Sequence, residues 1–420
     1  MVLERDRRPG GLVQSESIGR YWFDRVLHLL HFSPDDPETE RRIRALLDVP
    51  LAACGADAWV ESRSGRVRYP FQMHLGGLPK ERVVECVMEL AREILAGSDR
   101  TPSDFEDQLR TSFGRAMCDE FLLPYNRKLW KRDLRELAPG DHQWTITHPD
   151  FDDVLRGALD PERSFQPYNA RGYYPRPSAD APLRGMELLS QALAKSVADL
   201  RVDHEVVEID LEHRMIAVKT PRGIGSFQWE QACVSTLPLP MLASICHPVP
   251  DALRRACFGL LHNRVYNVAI CVEGPRPSET GLWSYHSDES LIWNRLIYMH
   301  AFDPESAPSG GWGIMAEITE PAEKPKANLA RLAARVVDDL NRGGRLFGGR
   351  VVATRVLEAD PAYVVFTTGV SEVVAALKDH LGRYALETLG RYGRWEYSSM
   401  AQVARDGFKL GDRLREESFS

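Results

Sequence analysis

The chain opens with "MVLERDRRPGGL", a short apolar run ending in Glu4 and followed by Gly10 and Gly11. A carboxylate at the end of a parallel strand can accept hydrogen bonds from both hydroxyls of a ribose. Glycines just beyond it let the backbone approach a dinucleotide where a Cβ would collide. The same residues also make an ordinary surface acid before a turn. Further on, "FDRVLHLLHF" holds His28 and His31. Positions i and i+3 of a strand face opposite ways, and no third ligand stands at a familiar spacing, so no metal is expected. A histidine packed in the core or against a cofactor is the expectation instead.

Two other clusters carry usable chemistry. "PYNRKLW" gathers Tyr125, Asn126, Arg127, Lys128 and Trp130. Aromatic faces beside cations suit an anionic or planar ligand; the plain alternative is a helix end packed by Trp130 with its cations in solvent. Near the C-terminus, "GRYGRWEYSSM" reads as a glycine-punctuated strand leading to a helix that starts at Ser398 or Ser399. Unsatisfied amides at such a start favour a negative or electron-rich group, although a capped terminal helix needs no ligand.

The bulk properties narrow the class. At 420 residues the chain has room for two or three domains, or for one discontinuous domain with an insertion. A net charge of −7 leaves no basic excess to neutralise phosphates, which argues against general nucleic-acid binding. The seven cysteines are dispersed, with no C-x-x-C pair, as in a reduced, cytoplasmic protein. No apolar run reaches the length of a membrane span.

The elements that must position these residues alternate irregularly. Helical periodicity marks "KERVVECVMELAREILAG", "PSDFEDQLRTSFGRAMCDEFLLPYNRKLW" with Ser103 as its cap, and "GMELLSQALAKSVADL". The period then changes to two through "EVVEIDLEHRMIAVKTPRGIGSFQWEQ" and closes with the strand "ACVSTL". Strands follow at "RVYNVAICV", "LIWNRLIYM", "GWGIMAEIT" and "VVATRVLE", with helices at "ANLARLAARVVDDLNRGG" and "SEVVAALKDHLGRYA" and a last one from Ser399. The mixture predicts an α/β nucleotide-binding core interrupted by an α+β insertion.

Taken in order, "VLERDRRPGGL", "FDRVLHLLHF", "YPFQMHLGGLP", "DFEDQLRTSFG" with "PYNRKLW", "YYPRP", "VSTLPLP", "RVYNVAI" and "GRYGRWEYSSM" span nearly the whole chain. The ordered set resembles the FAD-dependent amine-oxidase superfamily, closest to the branch of UDP-galactopyranose mutase and the protoporphyrinogen-oxidase-like proteins. The resemblance implies a Rossmann-like FAD-binding domain at 1–35, 184–240 and 385–420, and a substrate or cap domain at 36–183 and 241–384. It implies cofactor contacts at Glu4, Gly10, Gly11, His28, Thr236, Pro238, Arg391, Ser399 and Met400. Arg127, Lys128, Trp130, Tyr174, Trp283, Tyr285 and Arg295 would face the cavity for a small-molecule substrate. The activity it implies is an FAD-dependent oxidoreductase that abstracts hydride. The alternatives are a UDP-galactopyranose-mutase-like enzyme acting on a nucleotide sugar, or a degenerate, non-redox binding subunit.

Two departures stand against the family pattern. Relatives carry Gly-Gly before the histidine that matches His28, where this chain has Val26 and Leu27. No G-x-G-x-x-G occurs, and Met1 falls where relatives are already in their second strand. The expectation is therefore an N-terminally truncated Rossmann-like domain lacking its first βα unit. The strand ending at Glu4 is expected within the sheet that holds the 232–237 strand.

Overall fold

The longest strands of the chain make one mixed sheet in which Arg350–Val364, His262–Glu273, Gly311–Pro321, Arg295–Tyr298, Trp283–His286, Ala58–Glu61 and Arg66–Arg68 lie side by side. The computed structural model describes residues 1–27, 29–55, 57–97, 101–140, 146–163 and 172–419. All neighbours in the sheet are antiparallel except Trp283–His286 with Ala58–Glu61. Strand His262–Glu273 sits between two long partners and is buried on both faces, so its sequence reads as an almost unbroken apolar run. Alternation divides it between two cores. Tyr266, Val268, Ile270 and Val272 pack with Ala333, Val336 and Leu340 of helix Leu329–Arg342. Ala269 and Cys271 face the other way, into a core shared with Tyr21 and Phe23 of the hairpin Ser15–Ile18/Tyr21–Asp24.

A helical layer covers the 58–68 end of the sheet. Helix Lys80–Ala96 turns Cys86 and Leu90 inward and stops at Gly97, whose φ of +58° ends the helix in the left-handed region. Helix Phe105–Met117 packs across it so closely that a Cβ on Gly114, itself at φ +74°, would stand 2.9 Å from the Leu90 amide nitrogen. Asp104, not the expected Ser103, caps this helix: its carboxylate accepts from the Asp107 amide at 2.9 Å. The helix runs on without a break through a wide turn at Cys118–Leu122 into Leu123–Trp130, and Pro124 stands directly after that wide turn.

The nucleotide-binding expectation is met in class, with mixed helices and sheets, and differs in one pairing. Val2–Leu3 pairs in parallel with Leu200–Arg201, and Cys233–Ser235 pairs in parallel with Leu386–Thr388. The two ribbons are separate sheets, so the strand ending at Glu4 does not share a ladder with the 232–237 strand. Among the described residues each of these strands is paired on one side only, and Val2 and Val234 lie partly in solvent, at 46% and 37%. The expected strand through "GRYGRW" is also absent: the strand is Leu386–Thr388, and Gly390, at φ +77°, opens a short helical turn Gly390–Gly393 instead. All seven cysteines are free thiols. Among the described residues no helix is long and apolar enough to cross a membrane.

Candidate functional site

A cleft lined by tyrosines and arginines forms where helix Leu123–Trp130, the central sheet and the 390–397 segment meet. The helix supplies Tyr125 and Trp130. Neighbouring strands supply Tyr285, Arg295, Glu317 and Tyr363, and the C-terminal segment supplies Arg391 and Tyr397. Tyr125, Tyr285, Arg295, Tyr363, Arg391 and Tyr397 keep partial solvent contact deep inside the protein, as the lining of a concave site does.

The contacts are specific. Arg295 donates from one guanidinium nitrogen to Glu317 Oε2 at 2.5 Å, and the Tyr363 hydroxyl donates to Glu317 Oε1 at 3.1 Å. Glu317 is the acid that interrupts the apolar strand "GWGIMAEIT", and its side chain is 1% exposed, so it requires these partners. Burial is the largest single influence and works against the charge on Arg295, but Glu317 together with the phenols of Tyr363, Tyr285 and Tyr125 outweighs it, so the guanidinium stands well above its ordinary pKa. Tyr125 and Tyr285 meet edge to face at 5.3 Å, and Trp130 stands edge-on to both Tyr363 and Tyr397. Burial raises the phenols of Tyr125, Tyr285, Tyr363 and Tyr397, so all four stay protonated at neutral pH.

Arg391 differs from Arg295. Its guanidinium lies 4.7 Å from the ring centre of Tyr397 and 5.8 Å from that of Tyr363. Its buried Nε has no acceptor, and among the described residues no carboxylate pairs with it. The turn that carries it is pressed onto the end of strand Cys233–Ser235: the Leu389 amide donates to the Ser235 carbonyl at 2.9 Å, and a Cβ on Gly393 would stand 2.9 Å from that same oxygen. Thr236 and Pro238 follow directly. Ser399 starts the next helix by a reciprocal cap, with its hydroxyl accepting from the Gln402 amide and its own amide donating to Gln402 Oε1. The cap leaves Met400 and Ala401 as the other first-turn amides, at a helix start beside the Arg391 turn.

The residues singled out from sequence fall into several places. Trp130, Tyr285 and Arg295 line the cleft together with Arg391. Trp283 adjoins it, edge-on to Tyr285 at 6.3 Å and stacked on Phe302. Three others point elsewhere. The Arg127 side chain is 46% exposed and pairs with Glu106. Lys128 Nζ donates to the carbonyls of His286 and Asp288. Tyr174 donates to Asp24 Oδ2 at 2.7 Å in a separate buried cluster. Glu4 closes its own turn, accepting from the Asp6 amide at 2.9 Å. Gly10, at φ +121°, abuts Ser190, whereas Gly11, at φ +54°, has nothing within 4 Å of where a Cβ would stand. His28 lies outside the described residues. Tyr363, Tyr397 and Glu317 were not singled out from sequence; the one legible signal was an acid inside an otherwise apolar strand.

Comparison with known proteins adds a family and a fold. The family described as flavin containing amine oxidoreductase matches residues 1–368. Among solved structures, a reduced UDP-galactopyranose mutase superposes with a TM-score of 0.87 at 19% identity, covering 100% of this chain and 89% of that one. A protein described as a protoporphyrinogen oxidase from Exiguobacterium sp. 255-15 gives 0.70 at 14% identity, covering 99% and 92%. A putrescine oxidase bound to putrescine gives 0.61 at 14%, covering 99% and 93%. A flavin is the cofactor such a family implies. Two features of this structure suit one: the open backbone at Gly11, where a Cβ would meet nothing within 4 Å, and the helix start at Ser399 with its first-turn amides at Met400 and Ala401.

Proposed function

The chain belongs to the flavin-containing amine oxidoreductase family, and from that premise we propose an FAD-dependent oxidoreductase acting on a small anionic substrate held in the tyrosine–arginine cleft. The observation that carries this reading is the charge balance of the cleft. Glu317 already receives Arg295 and Tyr363, while Arg391 has no carboxylate. A cationic amine would find no free acid among these residues. An anion would find a guanidinium and several protonated phenols, and a charge-assisted hydrogen bond of that kind contributes about 1.5–3 kcal/mol.

In this reading Glu4 and Gly11 hold the ribose end of FAD, and Thr236, Pro238, Ser399 and Met400 border its ring end. The bound flavin supplies a hydride acceptor for a C–H bond of the substrate. The chain's own contribution is placement. Arg391 orients the anionic group, Tyr125 and Tyr285 flank the body of the substrate, and the Arg295–Glu317 pair fixes the far wall. Thiol chemistry has no part in it, since burial raises every cysteine, with Cys86, Cys246 and Cys271 pushed to about 12.

A second reading takes the same cleft as a nucleotide-sugar site, as in the mutase whose fold this chain shares. Paired arginines among phenols suit a diphosphate and a sugar equally well. Anaerobic spectroscopy of the FAD-loaded protein separates the two. Bleaching of the flavin absorbance by a small anionic substrate, with KM raised about 10- to 100-fold in Arg391→Met, supports the oxidoreductase. Turnover of a nucleotide sugar only after chemical reduction, with no net redox change, supports the mutase. Bleaching by diamines alone, or a folded protein inert in both assays, overturns the charge argument.

A further inference from the structure

Helix Lys80–Ala96 carries two apolar faces, and only one of them is used. Cys86 and Leu90 pack inward against helix Phe105–Met117 and the sheet, with Val83 beside them and Val87 half-buried at the edge of that contact. About a third of a turn round the helix, Val84, Met88, Ala91 and Leu95 follow one another at intervals of four, three and four residues, the spacing of a coiled-coil seam. Val84 is 61% exposed, Met88 49% and Leu95 85%, and Ile94 beside them is 53% exposed. Helix Phe151–Leu159, which packs against this one, exposes Leu159 as well. Scattered surface apolar residues need no explanation, but a continuous stripe of this register on a single helix does.

We propose that this face is a homodimer interface in which two copies of helix Lys80–Ala96 pack antiparallel about a two-fold axis. The charges choose the occupant and its direction. With Val84 set against Leu95 of the partner subunit, Met88 meets Ala91 of the partner subunit, and the small side chain makes room for the large one. The same register brings Glu85 against Arg92 of the partner subunit on one flank and Val87 against Ile94 of the partner subunit on the other. The two-fold repeats each contact. A parallel pairing would instead set Val87 against the charge of Arg92 of the partner subunit. Glu85 now pairs with Arg82, and Arg92 with Glu89 at 2.5 Å. Both are exposed i,i+3 pairs worth little, so exchanging them costs little. Antiparallel helices also oppose their dipoles favourably.

Light scattering across the micromolar range, together with a cysteine pair, tests this. The expected result is a species of twice the 47.4 kDa chain mass, and Leu95→Glu raises its dissociation constant at least about tenfold. The exposed position keeps Leu95→Glu folded, which circular dichroism verifies. In Val84→Cys with Leu95→Cys the two sites are about 16 Å apart along one helix, too far to bridge within a chain. In the antiparallel register oxidation joins position 84 to position 95 of the partner subunit, so the double variant yields a covalent dimer while Val84→Cys alone and Leu95→Cys alone do not; a parallel pairing brings like positions together and cross-links the single variants as well. A monomer at every concentration, or a dimer that neither Leu95→Glu weakens nor the cysteine pair cross-links, overturns the proposal.

Discussion

Arg295 and Glu317 stand on adjacent strands of the central sheet, directly paired in the ladder, and their side chains meet at 2.5 Å with Glu317 almost wholly out of solvent. The pair makes one wall of the cleft and removes its acid from any role toward a ligand.

Breaking the pair from one side leaves the other charge buried and uncompensated. Glu317→Gln is expected to cost about 3–5 kcal/mol in urea denaturation, and adding Arg295→Met to recover part of that loss. If the double variant is as unstable as the sum of the singles, the two residues are not coupled as the geometry requires.

The Asp24 carboxyl is raised from 3.8 to about 6, chiefly by burial, even though Ser15, Tyr174 and the Met186 amide all donate to it. The folded state thus binds this proton more tightly than the unfolded chain. The stability it contributes is full below about pH 4 and is lost as pH rises through 6, a change of about 3 kcal/mol. Asp24→Asn keeps a neutral group at every pH. The stability of the wild type relative to this variant is therefore expected to fall by about that amount between pH 4 and pH 7. A difference that stays flat with pH contradicts the shift.

The turn carrying Arg391 is held by the absence of a side chain at Gly393, where a Cβ would meet the Ser235 carbonyl oxygen. Gly393→Ala is expected to push the turn off the strand end at a cost of about 1–3 kcal/mol. It should also weaken binding of an anionic ligand at least about tenfold, as Arg391→Met does. Unchanged affinity in Gly393→Ala, measured by ligand titration, would show that the turn is not what places Arg391.

Much of this architecture was legible in the sequence because periodicity reports burial directly. The runs that became His262–Glu273 and Gly311–Pro321 are apolar because both faces are covered, and helix Lys80–Ala96 announced itself by its inward stripe and its terminal glycine. Less legible was anything decided between distant segments. "GRYGRW" has the glycines of a broken strand, yet its conformation is set by contact with Ser235, more than 150 residues away in sequence. Arg127, Lys128 and Trp130 looked equivalent in one motif. Helical geometry sends Trp130 toward Tyr363 and Tyr397, Lys128 onto two backbone carbonyls, and Arg127 out toward Glu106. Glu317 escaped notice for the converse reason: its partners come from Arg295 and Tyr363, on other strands.

A flavin held beside the Arg391 cleft registers directly when FAD is titrated into the purified protein. The expected result is uptake of one FAD per chain with quenched fluorescence, and a shifted visible spectrum in Arg391→Met. A cooperatively folded chain that neither retains nor takes up FAD would contradict it.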